Sequence, residues 1–226
     1  MFTGSILNAI TVIVGSSIGL LFKKAFPENI KNIIFDGLGI STIAISMGMI
    51  LKVENMVVVI FSILLGGITG EILKIQEFFD SLGDNLKKLV GSKNQNFTEG
   101  FVSAFLIFCV GTMTIMGCFN EGIRGDHTLL FTKSILDGFC SIALSATLGS
   151  GVLFSAIPLF LFQALLTILA KWIEPFFGNY LINQITATGG ILVLSIGLNL
   201  LQLKKIKVSN LLPSLVYIVI LSKFFK

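Results

Sequence analysis

The sequence predicts an all-α, polytopic bundle of about eight transmembrane helices. Its composition is 54% hydrophobic and only 12% charged, whereas a soluble domain carries about 25% charged residues. The apolar segments also approach the ~20 residues of helix that cross a hydrocarbon core. They are continuous rather than alternating, which excludes a transmembrane β-barrel. These three observations together place most of the chain inside a membrane.

Eight apolar segments are predicted to span, at residues 3–22, 32–51, 55–73, 99–118, 128–147, 151–171, 184–203 and 208–225. The first segment lacks a basic region before it and a clear cleavage site, so we expect a retained helix rather than a signal peptide. The connection from Leu148 to Gly151 carries no charge. A tight buried hairpin and a re-entrant turn are both compatible with it.

Basic residues are distributed unevenly among the predicted loops. If the first helix enters from outside, ten Lys and Arg residues lie on the inner side and six, Lys133 among them, on the outer side. Cytoplasmic loops are enriched in basic residues, so this bias predicts that both termini lie outside the cytoplasmic membrane. Since the net charge of +4 reflects these topology signals, no nucleic-acid partner is expected.

One long polar stretch, from Lys74 to Glu99, separates the third and fourth predicted spans. Its apolar residues recur at helical spacing, and charged residues occupy the opposite face, which predicts an amphipathic helix on the cytoplasmic surface. The simplest interpretation is a linker between two halves of the protein. A regulatory or partner-binding surface is the alternative.

The two halves of the chain resemble each other in the order of their glycines and charged residues. Three groups of residues match at similar shifts: Gly4 and Gly15 with Gly100 and Gly111 at 96, Asp36-Gly37 with Asp137-Gly138 at 101, and Lys74, Glu77 and Phe79 with Lys171, Glu174 and Phe176 at 97. The predicted parts are a three-helix repeat at 1–73, an amphipathic linker at 74–98, a second three-helix repeat at 99–177 and a C-terminal helix pair at 178–226. Because three is odd, the second repeat is inverted, as in many transporters.

Asp36 and Asp137 are the leading candidates for an ion- or substrate-binding site. A carboxylate inside the bilayer costs at least ~2.5 kcal/mol and tends to be functional or paired. Proton or sodium coupling is the functional interpretation. The alternative is a carboxylate near a helix start, stabilised by the helix dipole and by Lys31 or Lys133. The full candidate set comprises Asp36, Gly37, Asp137, Gly138, Thr112, Thr114 and Ser134.

The two threonines belong to the segment Gly111 to Gly117, with the sequence GTMTIMG. It is either an unwound stretch that lines a site or a helix whose threonines bond to its own backbone. Asn8, Gln163 and Gln184 are expected to form interhelical hydrogen bonds, and small-residue patterns such as Gly15-x-x-x-Gly19 are expected to pack helices closely.

No motif for an enzyme, a metal site or a cofactor is found. His127 is the only histidine and is expected at the surface, and the three cysteines have no metal-ligand or disulfide spacing. The protein is therefore predicted not to be an enzyme and to carry no cofactor or bound metal.

The motifs Gly111 to Gly117, Gly125-Asp126 and Lys133 to Phe139 resemble those of the bacterial YqgA/YdfK-like membrane proteins, the domain of unknown function 554 family. The resemblance extends over nearly the whole chain, including Gly4 and Asp36-Gly37. It implies a multi-pass bacterial membrane protein, and no catalytic residue can be carried over from it.

The repeat and its paired Asp-Gly sites favour a small secondary transporter that works by alternating access on an unknown substrate. A passive channel is one alternative, although no ring of charges is evident. A non-transporting sensor or scaffold, with the amphipathic segment as its working surface, is the other. The expected partners are the lipid bilayer, a small ion or solute, and a second copy of the chain.

Overall fold

The computed structural model describes residues 2–25, 28–109, 112–173 and 178–224, without the side chains of 23–25, 28, 30, 31, 34, 35, 112 and 173. The predicted all-α class is confirmed. The helices are α1 Thr3–Ala25, α2 Glu28–Ile50, α3 Met56–Ile72, α4 Ile75–Leu89, α5 Phe97–Cys109, α6 Thr112–Arg124, α7 Thr128–Leu148, α8 Gly151–Phe154, α9 Ala156–Ile173, α10 Asn179–Leu200 and α11 Ser214–Phe224, with a 3₁₀ turn at Val208–Leu211 before α11.

The described residues contain four to six candidate membrane spans. Four are single apolar stretches: Thr3–Phe22, Thr128–Leu148, Gly151–Trp172 and Asn179–Leu200. Two more arise if each of the pairs α3–α4 and α5–α6, both bent by 61°, counts as one span. Shorter apolar helices occupy Asp36–Ile50 and Val208–Phe224. The eight predicted segments therefore lie on helices over most of their described length, and four to six of these helices or bent pairs qualify as spans.

The predicted fourth span is not one straight helix, which corrects the sequence-based expectation. α5 is described to Cys109 and α6 from Thr112, so the described part of the Gly111–Gly117 segment is helical, and the two helices are bent by 61° to each other. Thr114 Oγ1 donates a hydrogen bond of 3.0 Å to the Phe108 carbonyl oxygen. A helix interruption leaves carbonyls without intrahelical donors, and this hydroxyl satisfies one of them.

The predicted amphipathic helix is confirmed as α4, from Ile75 to Leu89. It begins directly after Lys74, whose φ of 54° ends the preceding helix. Phe78 and Leu89 remain 60% and 82% exposed in the isolated chain. The helix therefore keeps apolar surface on its outside, as a segment in contact with lipid does.

By their contacts, the helices form two compact units, of which unit 1 comprises Met1–Phe35 and Leu82–Phe176. Its central feature is α1 packed along α7 in the same direction, with Gly4 beside Leu130, Gly15 beside Gly138 and Gly19 beside Ser145. A Cβ atom at Gly15 would lie 2.2 Å from the Gly138 carbonyl oxygen. The small residues therefore serve close packing, as the sequence predicts.

Unit 2 comprises Asp36–Ser81 and Phe177–Lys226. Here α10 runs antiparallel to α2, with Gly197 beside Ile43 and Gly190 beside Ile50. α11 runs antiparallel to α3, because Gly66 packs on Ser214 and Gly70 on Asn210.

Candidate functional site

A lysine and a carboxylate contact each other inside unit 1, one helical turn apart on α7. Lys133 Nζ donates to Asp137 Oδ2, and each residue is only 6% exposed. Asp137 lies nine residues after Thr128 in a 21-residue helix, which places it roughly 14 Å along a helix of roughly 31 Å. The pair therefore sits near the middle of a membrane-spanning helix.

α1 supplies a second partner for this carboxylate. The Asn8 side chain is fully buried, and its Nδ2 donates a hydrogen bond of 3.0 Å to Asp137 Oδ2. The other atom of that amide, Oδ1, is buried without a partner among the described residues. The Phe108 ring centroid lies 5.9 Å from Lys133 Nζ, close enough for a cation–π attraction.

A second carboxylate, Glu121, is buried near the end of α6 and is 2% exposed. Its Oε1 accepts a hydrogen bond of 2.8 Å from the Gly4 backbone N–H. The same oxygen lies 2.8 Å from His127 Nδ1. Ser5 Oγ donates to Oε2 at 3.3 Å. The His127 side chain is 31% exposed, so this ring connects the buried carboxylate with the surface of the unit.

Both carboxylates bond to the same side of α1. Ser5 and Asn8 are three residues apart, and residues at that spacing are neighbours on a helix surface. One bonds Glu121 and the other bonds Asp137. We refer to Glu121, His127, Lys133 and Asp137, with Ser5 and Asn8, as the charged cluster.

The loop that carries His127 is itself held in place at the start of α7. Gly125 adopts a φ of 69°, and Asp126 Oδ1 accepts a hydrogen bond of 3.0 Å from the Thr128 N–H. That hydrogen bond holds the pKa of Asp126 below its usual value. The anionic carboxylate accepts from the first backbone N–H of α7 and so fixes the backbone on both sides of His127.

Comparison with known proteins identifies the family. A family model described as "Protein of unknown function (DUF554)" matches residues 3–223. The chain belongs to the DUF554 family. The "Uncharacterized membrane protein YdfK" of Bacillus subtilis (strain 168) is 36% identical over 216 residues, covering 94% of this chain and 92% of that protein.

A second relative of this DUF554 protein, the "Uncharacterized protein YqgA" of Escherichia coli (strain K12), is 30% identical over 220 residues, or 95% of this chain and 94% of the relative. No solved structure matches. The resemblance deduced from the motifs is confirmed. The DUF554 chain is a multi-pass membrane protein. Its apolar helices provide several candidate spans, and the printed name of the Bacillus relative also describes a membrane protein.

Five of the predicted site residues lie in unit 1 of the DUF554 chain, and the structure describes the surroundings of four of them. Asp137 is in the charged cluster, and Ser134 is buried with its hydroxyl donated to the Leu130 carbonyl at 2.7 Å. The Thr114 hydroxyl donates to the Phe108 carbonyl oxygen. Gly138 packs against Thr11 of α1. Of these four, only Asp137 has a side chain that takes part in the cluster.

The other predicted residues are placed differently. Asp36 and Gly37 belong to α2 and are exposed, and no atom lies within 4 Å of where a Gly37 Cβ would stand. Asp36 is thus exposed in the chain taken alone, and its role in ion or substrate binding stays a prediction. α6 begins at Thr112, whose side chain falls outside the described residues, as does that of Lys31.

Sequence reasoning missed Glu121 and underestimated His127. Glu121 follows a long apolar run and looks like a loop residue. His127 was expected at the surface, and its contact with Glu121 was not predicted. A carboxylate within six residues of the only histidine was the available signal. Asn8 and Gln184 form the expected hydrogen bonds, whereas both amide atoms of Gln163 are buried without a partner among the described residues.

Proposed function

We propose that this DUF554 protein is a small secondary transporter of an ion or small solute, with Lys133 and Asp137 as its coupling residues. The observation that carries the proposal is their buried contact near the middle of α7. Charged residues at that depth are expensive and usually mark an ion or substrate pathway. A buried ion pair can often be replaced by apolar residues without loss of stability, so its presence favours a chemical role.

Helix directions support eight spans. α1 and α7 run parallel, which requires an even number of helix crossings from one to the next. If α3 and the α5–α6 pair each cross once, as their apolar character suggests, then α2 must cross as well. With eight spans, α2 and α10 are spans two and seven, and α3 and α11 are spans three and eight. The members of each pair then cross the membrane in opposite directions, which agrees with their antiparallel packing.

We further propose that residues 1–73 and 99–177 are inverted repeats that exchange conformations to give alternating access. In that scheme Asp36-Gly37 and Asp137-Gly138 are equivalent positions. Because Asp36 is exposed and Asp137 is buried, we assign the coupling to Asp137 alone. This assignment supplies a matched control, since Asp36→Asn makes the same chemical change at the equivalent position.

The test begins with thermal unfolding of the detergent-purified protein in a panel of ions and small solutes. A ligand at a hundredfold excess over its dissociation constant stabilises a protein by about 2.7 kcal/mol. We expect one ligand to raise the unfolding temperature of the wild type and of Asp36→Asn but not of Asp137→Asn. The same ligand should then be transported into proteoliposomes.

Stabilisation of all three proteins by that ligand would remove Asp137 from the binding site. Absence of flux in proteoliposomes loaded with the stabilising ligand would contradict transport itself. The sensor or scaffold reading of the sequence would then account better for the buried charges.

A further inference from the structure

We infer that the charged cluster binds protons and not metal cations, and that Glu121 and His127 form its outer proton site. The inference rests on the proposed function and names its coupling ion. It follows from the donors that already surround the two buried carboxylates and from the exposure of the histidine.

The hydrogen-bonding partners of the carboxylates disfavour a metal cation. Asp137 Oδ2 accepts from an ammonium and from an amide N–H, and a lysine ammonium offers three donors and no acceptor. Glu121 accepts from a backbone N–H and a hydroxyl and bonds a histidine nitrogen. Hard cations need several oxygen ligands around them, and the positive ends of these donors occupy those positions.

The wider surroundings give no metal site either. Among the described residues, no group of three or more His, Cys, Asp or Glu side chains is placed to hold an ion. Within the cluster, Asn8 Oδ1 is the side-chain oxygen that is buried and without a partner. One amide oxygen beside an ammonium cannot replace the hydration shell of a sodium ion, whereas it can accept a hydrogen bond from water.

A proton needs no such shell of ligands, and the contact between Glu121 and His127 allows this pair to bind one. His127 is partly exposed, and its Nδ1 lies 2.8 Å from Glu121 Oε1. A histidine ring can bind a proton at one nitrogen and release a proton from the other, which makes it a proton shuttle. A hydronium ion in the solvent gives a proton to the other ring nitrogen and becomes water, and the proton on Nδ1 passes to Oε1. The ring stays neutral and the carboxylate becomes a carboxylic acid, so charge and atoms balance.

α1 connects the outer site to the inner pair. Ser5 bonds Glu121 and Asn8 bonds Asp137, one turn apart on the same side of the helix. The amide of Asn8 does not carry protons itself, but its Oδ1 is buried without a partner among the described residues and can accept a hydrogen bond from a water molecule. Protonation of Asp137 then neutralises it and releases Lys133 from its counterion.

Other charged groups near the cluster set the pH at which it takes up protons. α1 contributes no ionisable side chain over residues 3–22, so these groups come from α5, α6, the following loop and α7. They are Cys109, Cys118, Arg124, Asp126, Lys133, Asp137 and Cys140. Two of them, Lys133 and Asp137, are themselves in the cluster and oppose each other in sign.

Infrared difference spectroscopy of the full-length protein in liposomes tests the inference without a known solute. Spectra are recorded while the pH is lowered, in sodium-free and in sodium-containing buffer. We expect a carboxylic-acid C=O band with the same midpoint in both buffers. Glu121→Gln should remove the Glu121 component of that band, His127→Gln should shift the midpoint of this component and slow its appearance, and Asp36→Asn should leave the component unchanged.

The opposite results are equally specific. A band that survives in Glu121→Gln unchanged, or a midpoint displaced by sodium in the wild type but not in Asp137→Asn, would overturn the inference. If Glu121→Gln does not fold, His127→Gln decides, because its side chain is partly exposed and glutamine can still hydrogen bond. An unmoved midpoint there rejects the outer proton site.

Failure of this inference and failure of transport are distinguishable. Sodium-linked flux without a sodium-independent proton band would reject proton binding and keep the transporter. A proton band that follows the variants, in a protein that moves no solute, would keep the proton site and reject the transporter.

Discussion

Units 1 and 2 handle polar groups in opposite ways. Unit 1 buries Glu121, Lys133 and Asp137 among its helices. In unit 2 the charged pair Glu71–Lys207, joined at 2.7 Å, has both side chains about 60% exposed, and the buried polar contacts use neutral amides such as Gln184. Since amides can stabilise a helical bundle without buried charge, the charges of unit 1 call for a different explanation, and the proposed ion coupling supplies one.

Breaking the buried pair should have the largest effect on stability. Lys133→Met leaves the Asp137 carboxylate buried without its counterion, which we expect to cost about 3–5 kcal/mol in unfolding free energy. The double variant Lys133→Met/Asp137→Leu should recover most of that loss while abolishing ligand-dependent stabilisation. The unfolding free energies of the wild type and of both variants are measured by denaturation in detergent. A double variant as unstable as the single one would contradict the argument.

Close helix packing at glycines occurs in both units, so substitutions that disturb it should destabilise the two units to a similar extent. Gly15→Ala in unit 1 and Gly70→Ala in unit 2 would place a Cβ atom 2.2 Å and 1.9 Å from a backbone oxygen of the facing segment. We expect each to cost about 1–3 kcal/mol by overpacking. Gly48→Ala meets no atom within 4 Å, and thermal unfolding should show it slightly stabilised, because alanine favours helix by about 0.5–1 kcal/mol.

The amide contacts of unit 2 should carry a moderate share of its stability. Gln184 Oε1 accepts hydrogen bonds from the Glu54 and Asn55 N–H groups at 3.0 and 3.2 Å, and its Nε2 donates to the Asn55 carbonyl. Gln184→Met leaves these groups unsatisfied, at about 1–3 kcal/mol. Asn183→Met, which removes one exposed hydrogen bond to Glu54, is the matched control. Equal unfolding temperatures for the two variants would argue against this role.

The smallest effect should come from the exposed ion pair of unit 2. The hydrogen bond to Glu71 raises the pKa of Lys207, so the pair contributes stability below the unfolded pKa of lysine and loses it as the pH rises through the higher folded value. Lys207→Met should therefore differ slightly from the wild type at neutral pH and converge with it in alkali. A difference that grows with rising pH would have the wrong sign.

Long apolar runs were enough to predict the helices, because a membrane span is a local property of about 20 residues. The bend between α5 and α6 was foreseen only through one of two alternatives for the Gly111–Gly117 segment, because the chain stays apolar across it and the bend depends on the surrounding packing. Asp137 could be singled out as an isolated carboxylate in an apolar segment. Its partner Asn8 and the contact of Glu121 with the start of α1 lie 129 and 117 residues away in sequence, and no local pattern encodes such pairs.

The spacing of Lys133 and Asp137 has a consequence for how the protein is made. Because both residues belong to one helix, α7 brings its own counterion, and the two charges can neutralise each other before α1 or any other helix is in place. A newly synthesised α7 can thus leave the translocon as an electrically neutral segment. Moving the lysine to a neighbouring helix would keep the same contact in the finished protein but would expose a lone carboxylate to lipid during insertion.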